Sequence, residues 1–245
     1  MRLMLTVILL ALLSTACGGE LPVREPPSEE PPPLTYLSLG DSLAVGVGAS
    51  DPDELGYTPL YRDRLAEATG REVELVNLGV SGETSSSMIG ESGDSQLDQA
   101  VRVLRESPEA VVTLSIGGND LLRVRNAPDA ARREALDRFG WNLNYILRTL
   151  RRASESPPEI VVLTLYNPAP GTITDPWTGR MNETIRAVAG RHGASVARAD
   201  RAFEGRERQY THFGERPDIH PTDAGYRALA DELLKSTDVE QYSGL

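Results

Sequence analysis

The chain has 245 residues, 40% hydrophobic and 25% charged, a composition that fits one globular domain and excludes disorder as the dominant state. Its 25 Lys and Arg against 36 Asp and Glu give a net charge of -11, which repels phosphate backbones and disfavours nucleic acid as a partner. Because Cys17 is the one cysteine and the three histidines are dispersed, we expect neither a disulfide framework nor a metal site, and no cofactor.

The first predicted element is an export signal. The apolar run at 3–13 fits a signal-peptide core and is too short to span a bilayer. Three small residues at 14–16 then precede Cys17, which resembles a bacterial lipoprotein box, although that box usually has a branched apolar residue where Ser14 stands. We expect a cleaved lipoprotein-type signal at 1–16 and a lipid anchor on Cys17 at the outer face of a bacterial membrane, with ordinary secretion as the alternative.

Residues 17–33 are predicted to be an extended linker behind the lipidated cysteine. Positions 18–33 hold six Pro and four Glu and almost nothing apolar to bury, which favours a stiffened and solvated chain. The globular domain is therefore expected at 34–245.

The domain alternates short apolar runs with longer segments of helical period, which predicts a parallel α/β fold. The runs are mostly non-alternating, as in strands that are buried on both faces. Strands are predicted at 34–39, 73–78, 110–116, 160–165 and 194–199.

Four helices are predicted from apolar periodicity and from end signals. The first covers 60–68 and ends at Gly70, and a long amphipathic helix covers 136–150. A third begins near Pro176 and ends at Gly193, where a left-handed cap is expected, and the last follows Pro221.

Polar motifs stand where the predicted strands end, and ligands of open parallel sheets bind at that edge. The first strand is followed by GDSL at 40–43, the second by NLGVSG at 77–82 and the third by GGND at 117–120, while DIHP at 218–221 precedes the last helix. We expect these four loops to meet at one edge of the sheet.

The loops supply the groups that acyl transfer requires. Ser42 is the candidate nucleophile, His220 the base and Asp218 the acid that orients it, while the oxyanion hole would comprise the N–H groups of Ser42 and Gly79 and the side chain of Asn119. A serine after a strand commonly only caps the next helix, so the assignment depends on the four motifs together.

His220 has one competitor as the base, His212. The other glycines of the motifs are expected to have structural roles only. His212 lacks the position just before a helix that His220 has. Gly82 and Gly118 are expected to form turns rather than to donate to an oxyanion, and Asp41 to stabilise its own turn.

In their order and placement, the four motifs resemble the GDSL, or SGNH, hydrolase family. The resemblance implies a flavodoxin-like three-layer α/β/α sandwich with a five-stranded parallel sheet, and metal-free serine esterase or lipase chemistry. It also implies the roles given above to Ser42, Gly79, Asn119 and His220. The chain departs from the family at Pro217, where the family usually has its acid three residues before the histidine. Either Asp218 or a backbone carbonyl would then orient His220.

The expected function is hydrolysis of carboxylic esters, from small molecules or lipids including lysophospholipids, through an acyl-Ser42 intermediate. Tyr166, Asn167 and Trp177 follow the fourth predicted strand and are candidates for lining the substrate pocket. Three alternatives stay open: an acyltransferase, a deacetylase of envelope polysaccharide, and a non-catalytic binding lipoprotein. The sequence predicts no oligomeric state.

Overall fold

The computed structural model describes residues 32–90, 93–171 and 175–243. The predicted signal segment, Cys17 and the predicted linker up to residue 31 lie outside the described residues. Within these ranges, no helix is long and apolar enough to cross a membrane.

The described chain alternates strands and helices along its length. The strands are β1 (Leu34–Gly40), β2 (Val73–Asn77), β3 (Ala110–Ser115), β4 (Glu159–Leu163) and β5 (Ser195–Ala197). The helices are α1 (Ser42–Val45), α2 (Pro52–Leu55), α3 (Tyr57–Thr69), α4 (Ser85–Ile89), α5 (Gln96–Glu106), α6 (Gly118–Arg123), α7 (Asp129–Arg151), α8 (Asp175–Arg191), α9 (Ala199–Phe203), α10 (Glu207–Tyr210) and α11 (Asp223–Lys235). Short 3-10 turns cover His212–Gly214 and Val239–Tyr242.

The five strands form one parallel sheet in the order β2-β1-β3-β4-β5, which is the flavodoxin-like order. Every predicted strand is present, with ends that agree with the prediction to within two residues. Because the strand order reverses between β1 and β3, a crevice opens beyond their carboxyl ends. The register pairs Gly40 with Ser115 at that point, so both strands end at the same level.

Helices cover both faces of the sheet, which confirms the three-layer α/β/α sandwich. Alternate strand residues point to opposite faces: Leu37 and Leu39 pack with α5, α7 and α8, whereas Leu34 and Tyr36 pack with α3 and α11. Each face of the sheet therefore buries its own apolar cluster, and the sheet separates the two clusters.

The four predicted helices are present, and the long one is longer than its apolar periodicity indicated. That helix, α7, begins at Asp129, two turns before the first predicted apolar contact. Gly70 and Gly193 have φ angles of +67° and +62°, so both expected left-handed caps are confirmed. The helix α5 was not predicted, although its Ser95 cap bonds to the backbone N–H of Asp98.

Candidate active site

The turn after β1 exposes Ser42 at the start of a helix. Asp41 caps α1 by accepting a hydrogen bond from the Leu43 N–H at 3.0 Å. Gly40 has a φ of +138°, and a side chain there would collide with the Ser115 carbonyl, so the sharp exit from the strand requires glycine. Ser42 is therefore the first helical residue, and its N–H has no acceptor among the described residues.

Ser42, His220 and Asp218 form a continuous hydrogen-bonded chain. His220 Nε2 lies 3.0 Å from Ser42 Oγ, and His220 Nδ1 lies 2.7 Å from Asp218 Oδ1. An ionised carboxylate only accepts hydrogen bonds, so the Nδ1 atom carries the proton and Nε2 presents its lone pair to the serine. This is the arrangement of a nucleophile, a base and an orienting acid.

Asp218 reaches the histidine although it stands two residues before it. The loop bends tightly, because the Asp218 N–H donates to the Arg216 carbonyl at 2.7 Å. The same carboxylate oxygen that meets the imidazole also accepts the His220 backbone N–H at 3.1 Å. The carboxylate thus bonds both the backbone and the ring of His220, and the side chain rather than a backbone carbonyl faces Nδ1.

Charge and hydrogen bonding keep Asp218 ionised. Burial raises the pKa of this carboxyl, but hydrogen bonds from the backbone and ring of His220 and from Arg216 outweigh it and lower the pKa to about 2. Arg216 binds the second carboxylate oxygen through Nε at 3.0 Å and through its terminal nitrogen at 2.9 Å. The acid is therefore an anion under any ordinary assay condition.

Three further contacts fix the loop that holds His220. The Tyr166 hydroxyl donates to the Ile219 carbonyl at 2.8 Å, and the His212 N–H donates to the His220 carbonyl at 3.0 Å. The His212 ring donates through Nε2 to the Gly48 carbonyl at 2.8 Å. His212 thus helps to hold the loop in place, and the histidine in contact with Ser42 is His220.

Asp41 is a second carboxyl next to the nucleophile, and it is almost fully buried. Burial raises its pKa to about 7, against the opposing hydrogen bonds from the Leu43 N–H and the Ser115 hydroxyl. Its neighbour Asp120 raises it further. Asp41 bonds the turn that carries Ser42, in agreement with the expected structural role.

Asn119 lies at the start of α6 and bridges to the turn after β2. One hydrogen of its side-chain amide is donated to the Glu83 carbonyl at 2.9 Å. The next residue, Asp120, accepts from the N–H and the hydroxyl of Ser85 at 3.0 and 2.6 Å. The second amide hydrogen of Asn119 has no acceptor among the described residues, and Asn119 lines the same cavity as Ser42.

Gly79 is the predicted site residue that the geometry does not support. Its N–H donates to Asn77 Oδ1 at 3.1 Å, and Gly79 does not line the cavity that holds Ser42. The N–H of Gly82, where φ is +82°, has no acceptor among the described residues. Gly82 directly precedes the Glu83 carbonyl that Asn119 binds. Among the described residues, the N–H groups of Ser81 and Gly82 are the open donors of this turn. Gly82, which was expected only to form the turn, does not line the cavity either, so the case for Gly82 rests on its open N–H next to Glu83.

A cavity of about 320 Å³ opens beside Ser42, Asn119 and His220. Its wall is strongly apolar and comes from α6, from the loop after β4, from α8 and from the loop that holds His220. The apolar lining residues are Leu43, Leu121, Leu122, Val124, Leu165, Pro168, Ala169, Trp177, Phe213 and Ile219. Tyr166, Asn167 and Trp177 all line it, as the sequence predicted.

Trp177 packs against two guanidinium groups in that wall. The guanidinium carbons of Arg180 and Arg132 lie 4.7 Å and 5.8 Å from the centroid of its ring. Arg132 is itself nearly buried and joins the Asp129 carboxylate and the Arg125 carbonyl, both at 2.8 Å. The aromatic wall of the cavity is thus fixed by the start of α7.

The wall residues of α6 and the supporting residues Arg216, Glu83 and Gln96 were not identified from the sequence. They carry no local motif. Gln96 and Glu83 meet the site through contacts with residues distant in sequence, whereas Arg216 binds Asp218 two residues away. Within the ranges that the structure describes, no group of three or more His, Cys, Asp and Glu side chains is arranged to bind a metal ion.

Comparison with known proteins gives a family match over most of the domain. The model of the GDSL-like Lipase/Acylhydrolase family matches residues 38–228, a range that contains all four sequence motifs. A spore germination lipase, LipC from Bacillus licheniformis, is 28% identical over 209 residues, which cover 82% of this chain and 94% of LipC.

Solved structures show the same architecture. The lipase Lip_vut3 from a goat rumen metagenome superposes with a TM-score of 0.69 at 26% identity, covering 84% of this chain and 99% of that one. Axe2, an acetylxylan esterase from Geobacillus stearothermophilus, superposes with a TM-score of 0.62 at 20% identity, covering 82% and 93% of the two chains.

Proposed function

The chain belongs to the GDSL-like lipase/acylhydrolase family and is a carboxylic ester hydrolase, and from this premise we propose that it cleaves esters of apolar acyl groups through an acyl intermediate on Ser42. The observation that carries the proposal is the hydrogen-bonded chain from Ser42 through His220 to Asp218, which opens into an apolar cavity.

The reaction proceeds in two halves. Ser42 Oγ attacks the ester carbonyl carbon while His220 Nε2 takes the hydroxyl proton, and the bond to the alkoxy oxygen then breaks as Nε2 returns that proton to the leaving alcohol. Water next attacks the acyl-Ser42 carbonyl, gives its proton to Nε2, and releases the carboxylic acid as Ser42 Oγ is reprotonated. Asp218 stabilises the imidazolium that forms in each half.

The negative charge on the carbonyl oxygen is stabilised by donors fixed before the reaction. We assign the Ser42 N–H and the free amide hydrogen of Asn119 to this role, with the N–H of Gly82 in the place first given to Gly79. The support is that these donors have no acceptor within the described part of the chain, whereas the Gly79 N–H bonds to Asn77. Preorganised donors of this kind supply the largest electrostatic contribution to acyl transfer.

The cavity favours a single acyl chain of medium length. Its volume of about 320 Å³ is at the small end of the range for ligand sites, and its wall is almost entirely apolar. Each methylene transferred from water to such a wall contributes about 0.8 kcal/mol, so the cavity selects for chain length until it is filled.

The test is hydrolysis of p-nitrophenyl esters with acyl chains from acetyl to dodecanoyl by the purified protein. We expect kcat/KM to rise from acetyl to a medium chain and then to fall, and activity to vanish in Ser42→Ala and His220→Ala. Full activity in folded Ser42→Ala protein would refute the acyl-Ser42 mechanism.

A second candidate is removal of acetyl groups from a polysaccharide, which is favoured by the common fold with an acetylxylan esterase. It predicts that acetyl esters are the best substrates and that longer acyl chains are rejected.

Adding alcohol acceptors in the same assay and analysing the products distinguishes a hydrolase from an acyltransferase.

We also propose that the protein is exported and held at a bacterial membrane by a lipid on Cys17. The support is the apolar run at 3–13 and the small residues before the cysteine. Cys17→Ser should move the protein from the membrane fraction to the soluble fraction, while an unchanged membrane fraction would exclude lipidation at this position.

A further inference from the structure

At the carboxyl end of β1, beside Ser42, a side chain takes the place of the neighbouring strand in the hydrogen-bond pattern. β1 and β2 stay paired only as far as Ser38 and Asn77. Beyond that point the Val80 N–H still reaches the Gly40 carbonyl at 3.0 Å. No backbone carbonyl of the described residues accepts the Gly40 N–H on the side that β2 has left.

Gln96 fills this gap. Its Oε1 accepts the Gly40 N–H at 2.7 Å, and its Nε2 donates to the Gly40 carbonyl at 3.0 Å. The side-chain amide therefore offers Gly40 the same donor and acceptor that a further strand residue would offer. Gln96 is 5% exposed and is the first residue of α5, directly after the Ser95 cap.

The same amide also meets the turn that faces Ser42. Gln96 Nε2 lies 3.4 Å from the carboxylate of Glu83, and the carbonyl of Glu83 is the acceptor of the Asn119 amide. Gln96 thus joins two turns: the one after β1, which carries the Ser42 N–H, and the one after β2, which holds Gly82 and accepts a hydrogen bond from Asn119 of α6. The proposed oxyanion donors lie in these two turns and on Asn119.

We propose that Gln96 is a positioning residue, which sets the distance between the Ser42 N–H and the donors of the 79–83 turn. The inference depends on the acyl-Ser42 mechanism proposed above. Gln96 does not line the cavity that holds Ser42, and it acts through the peptide of Gly40 and through Glu83. Because both of its contacts are nearly buried, a replacement that cannot form hydrogen bonds leaves the Gly40 N–H without an acceptor and lets the two loops separate.

The test is Gln96→Met in the full-length protein, with Gln99→Met as the matched control. Met has a similar length and helix propensity to Gln. Gln99 lies one turn further along α5, where its amide donates to the Asp94 carbonyl at the surface. A misplacement of about 1 Å at a reacting group costs on the order of 100-fold in rate, so we expect kcat for Gln96→Met to fall by about 10- to 100-fold. KM should change by less than about twofold, since a positioning effect that is felt in the transition state leaves ground-state binding intact. Gln99→Met should keep the parental kcat.

A double-mutant cycle with Asn119→Ala separates positioning from loss of stability. If Gln96 acts through the oxyanion donors, Gln96→Met should cost less than about threefold once Asn119 has been removed, because the two residues serve one structure. Circular dichroism and thermal unfolding of each variant establish the folded fraction, so that rates refer to folded enzyme.

Two results would overturn the proposal. One is an unchanged kcat in folded Gln96→Met, and the other is the same fold loss in both backgrounds. Either result leaves the acyl-Ser42 mechanism standing as long as Ser42→Ala is inactive, whereas an active Ser42→Ala protein would remove that mechanism and this inference with it.

Discussion

At the scale of single residues, the site is governed by two carboxyl groups whose environments shift their pKa values in opposite directions. Asp218 bonds His220 and Arg216 and has a pKa of about 2, whereas Asp41 is buried beside Ser42 and has a pKa of about 7. One carboxylate is thereby kept as a permanent anion behind the imidazole, and the other changes its charge near neutral pH.

The first prediction concerns the orientation of His220. Asp218→Asn keeps the size of the side chain but presents an uncharged amide to Nδ1, so the imidazole can take the wrong tautomer. We expect kcat to fall by about 100- to 10,000-fold with little change in KM, as for acids of other serine triads. The measurement is steady-state hydrolysis of the best p-nitrophenyl ester. A loss below about tenfold would mean that a backbone group orients His220.

The second prediction concerns the oxyanion. Asn119→Ala removes the free amide hydrogen and also the bond to Glu83. Loss of one such donor costs about 100- to 1,000-fold in kcat. Single-turnover acylation of the variant should slow by that factor, with Asn126→Ala, an exposed position beyond α6, as the control. Equal rates for the two variants would remove Asn119 from the oxyanion hole.

The third prediction is a pH dependence of stability due to Asp41. Its pKa in the folded protein is above the unfolded value, so the folded state binds the proton more tightly and the contribution to stability is lost as pH rises from about 4 to about 7. Asp41→Asn keeps the cap on Leu43 without a charge to bury. The free energy of unfolding of Asp41→Asn relative to the parent should therefore increase between pH 5 and pH 8, as measured by urea denaturation. A difference that is constant with pH would contradict the burial of this charge.

The sequence predicted the residues of the site that follow a strand end or precede a helix. Ser42, Asn119 and His220 are of this kind, because parallel topology alone brings such positions to one edge. The choice between Gly79 and Gly82 depended on which N–H the turn leaves open, and the side chain of Asn77 decides that. Gln96 is 56 residues from Gly40, and no local pattern connects the two.

At the scale of elements, helix ends show which glycines the fold needs. Gly70 ends α3 with a φ of +67°, and a side chain there would meet no other atom, so the backbone conformation is the one obstacle to substitution. Gly179 lies inside α8 at an exposed position, where a side chain would also meet nothing. Both positions thus have room for a side chain, but the backbone at Gly70 has a positive φ, whereas the backbone at Gly179 is that of an ordinary helix.

The fourth prediction follows from this contrast. Gly70→Ala should destabilise the protein by about 1 kcal/mol, since a non-glycine residue at positive φ is strained. Gly179→Ala should stabilise it by about 0.5–1 kcal/mol, because alanine favours the helix and restricts the unfolded chain. Urea denaturation of both variants gives the two signs, and equal signs would contradict the assignment of the cap.

The strands were predictable to within two residues, and the short helices were not. Apolar runs such as 110–116 are buried on both faces and leave a strong signal in the sequence. The helices α4, α5 and α6 begin within the polar segments that also build the site. Local capping boxes at Thr84 and Ser95 begin α4 and α5, so part of the signal was present in the sequence. The bond of Asp120 with Ser85 joins positions 35 residues apart and leaves no local pattern.

At the scale of the whole molecule, the cavity beside Ser42 belongs to no single element. Its wall combines α6, the loop after β4, the start of α8 and the loop before α11. Its volume is thus set by the packing of elements that are far apart in sequence, and for this reason the chain-length preference was beyond prediction from the sequence.

The fifth prediction tests that wall. Leu122 is half-buried and lines the cavity without belonging to either apolar core. Leu122→Trp should fill part of the space and shift the best p-nitrophenyl ester to a shorter acyl chain. Each lost methylene contact should reduce kcat/KM by about fourfold, from about 0.8 kcal/mol. An unchanged profile in the folded variant would place the acyl chain elsewhere.

The contact between Ser42 and His220 joins residues 178 positions apart. The nucleophile is therefore synthesised early and its base near the end of the domain, and any fragment that contains both must span residues 42–220. A nascent or incompletely folded chain cannot hydrolyse esters by this mechanism, because the loop after the 3-10 turn at His212–Gly214 must first close onto the first strand of the sheet. Catalytic activity in a refolding experiment would thus report the closure of the whole chain, and it should recover no earlier than the protection of amide hydrogens in α11 from exchange with solvent.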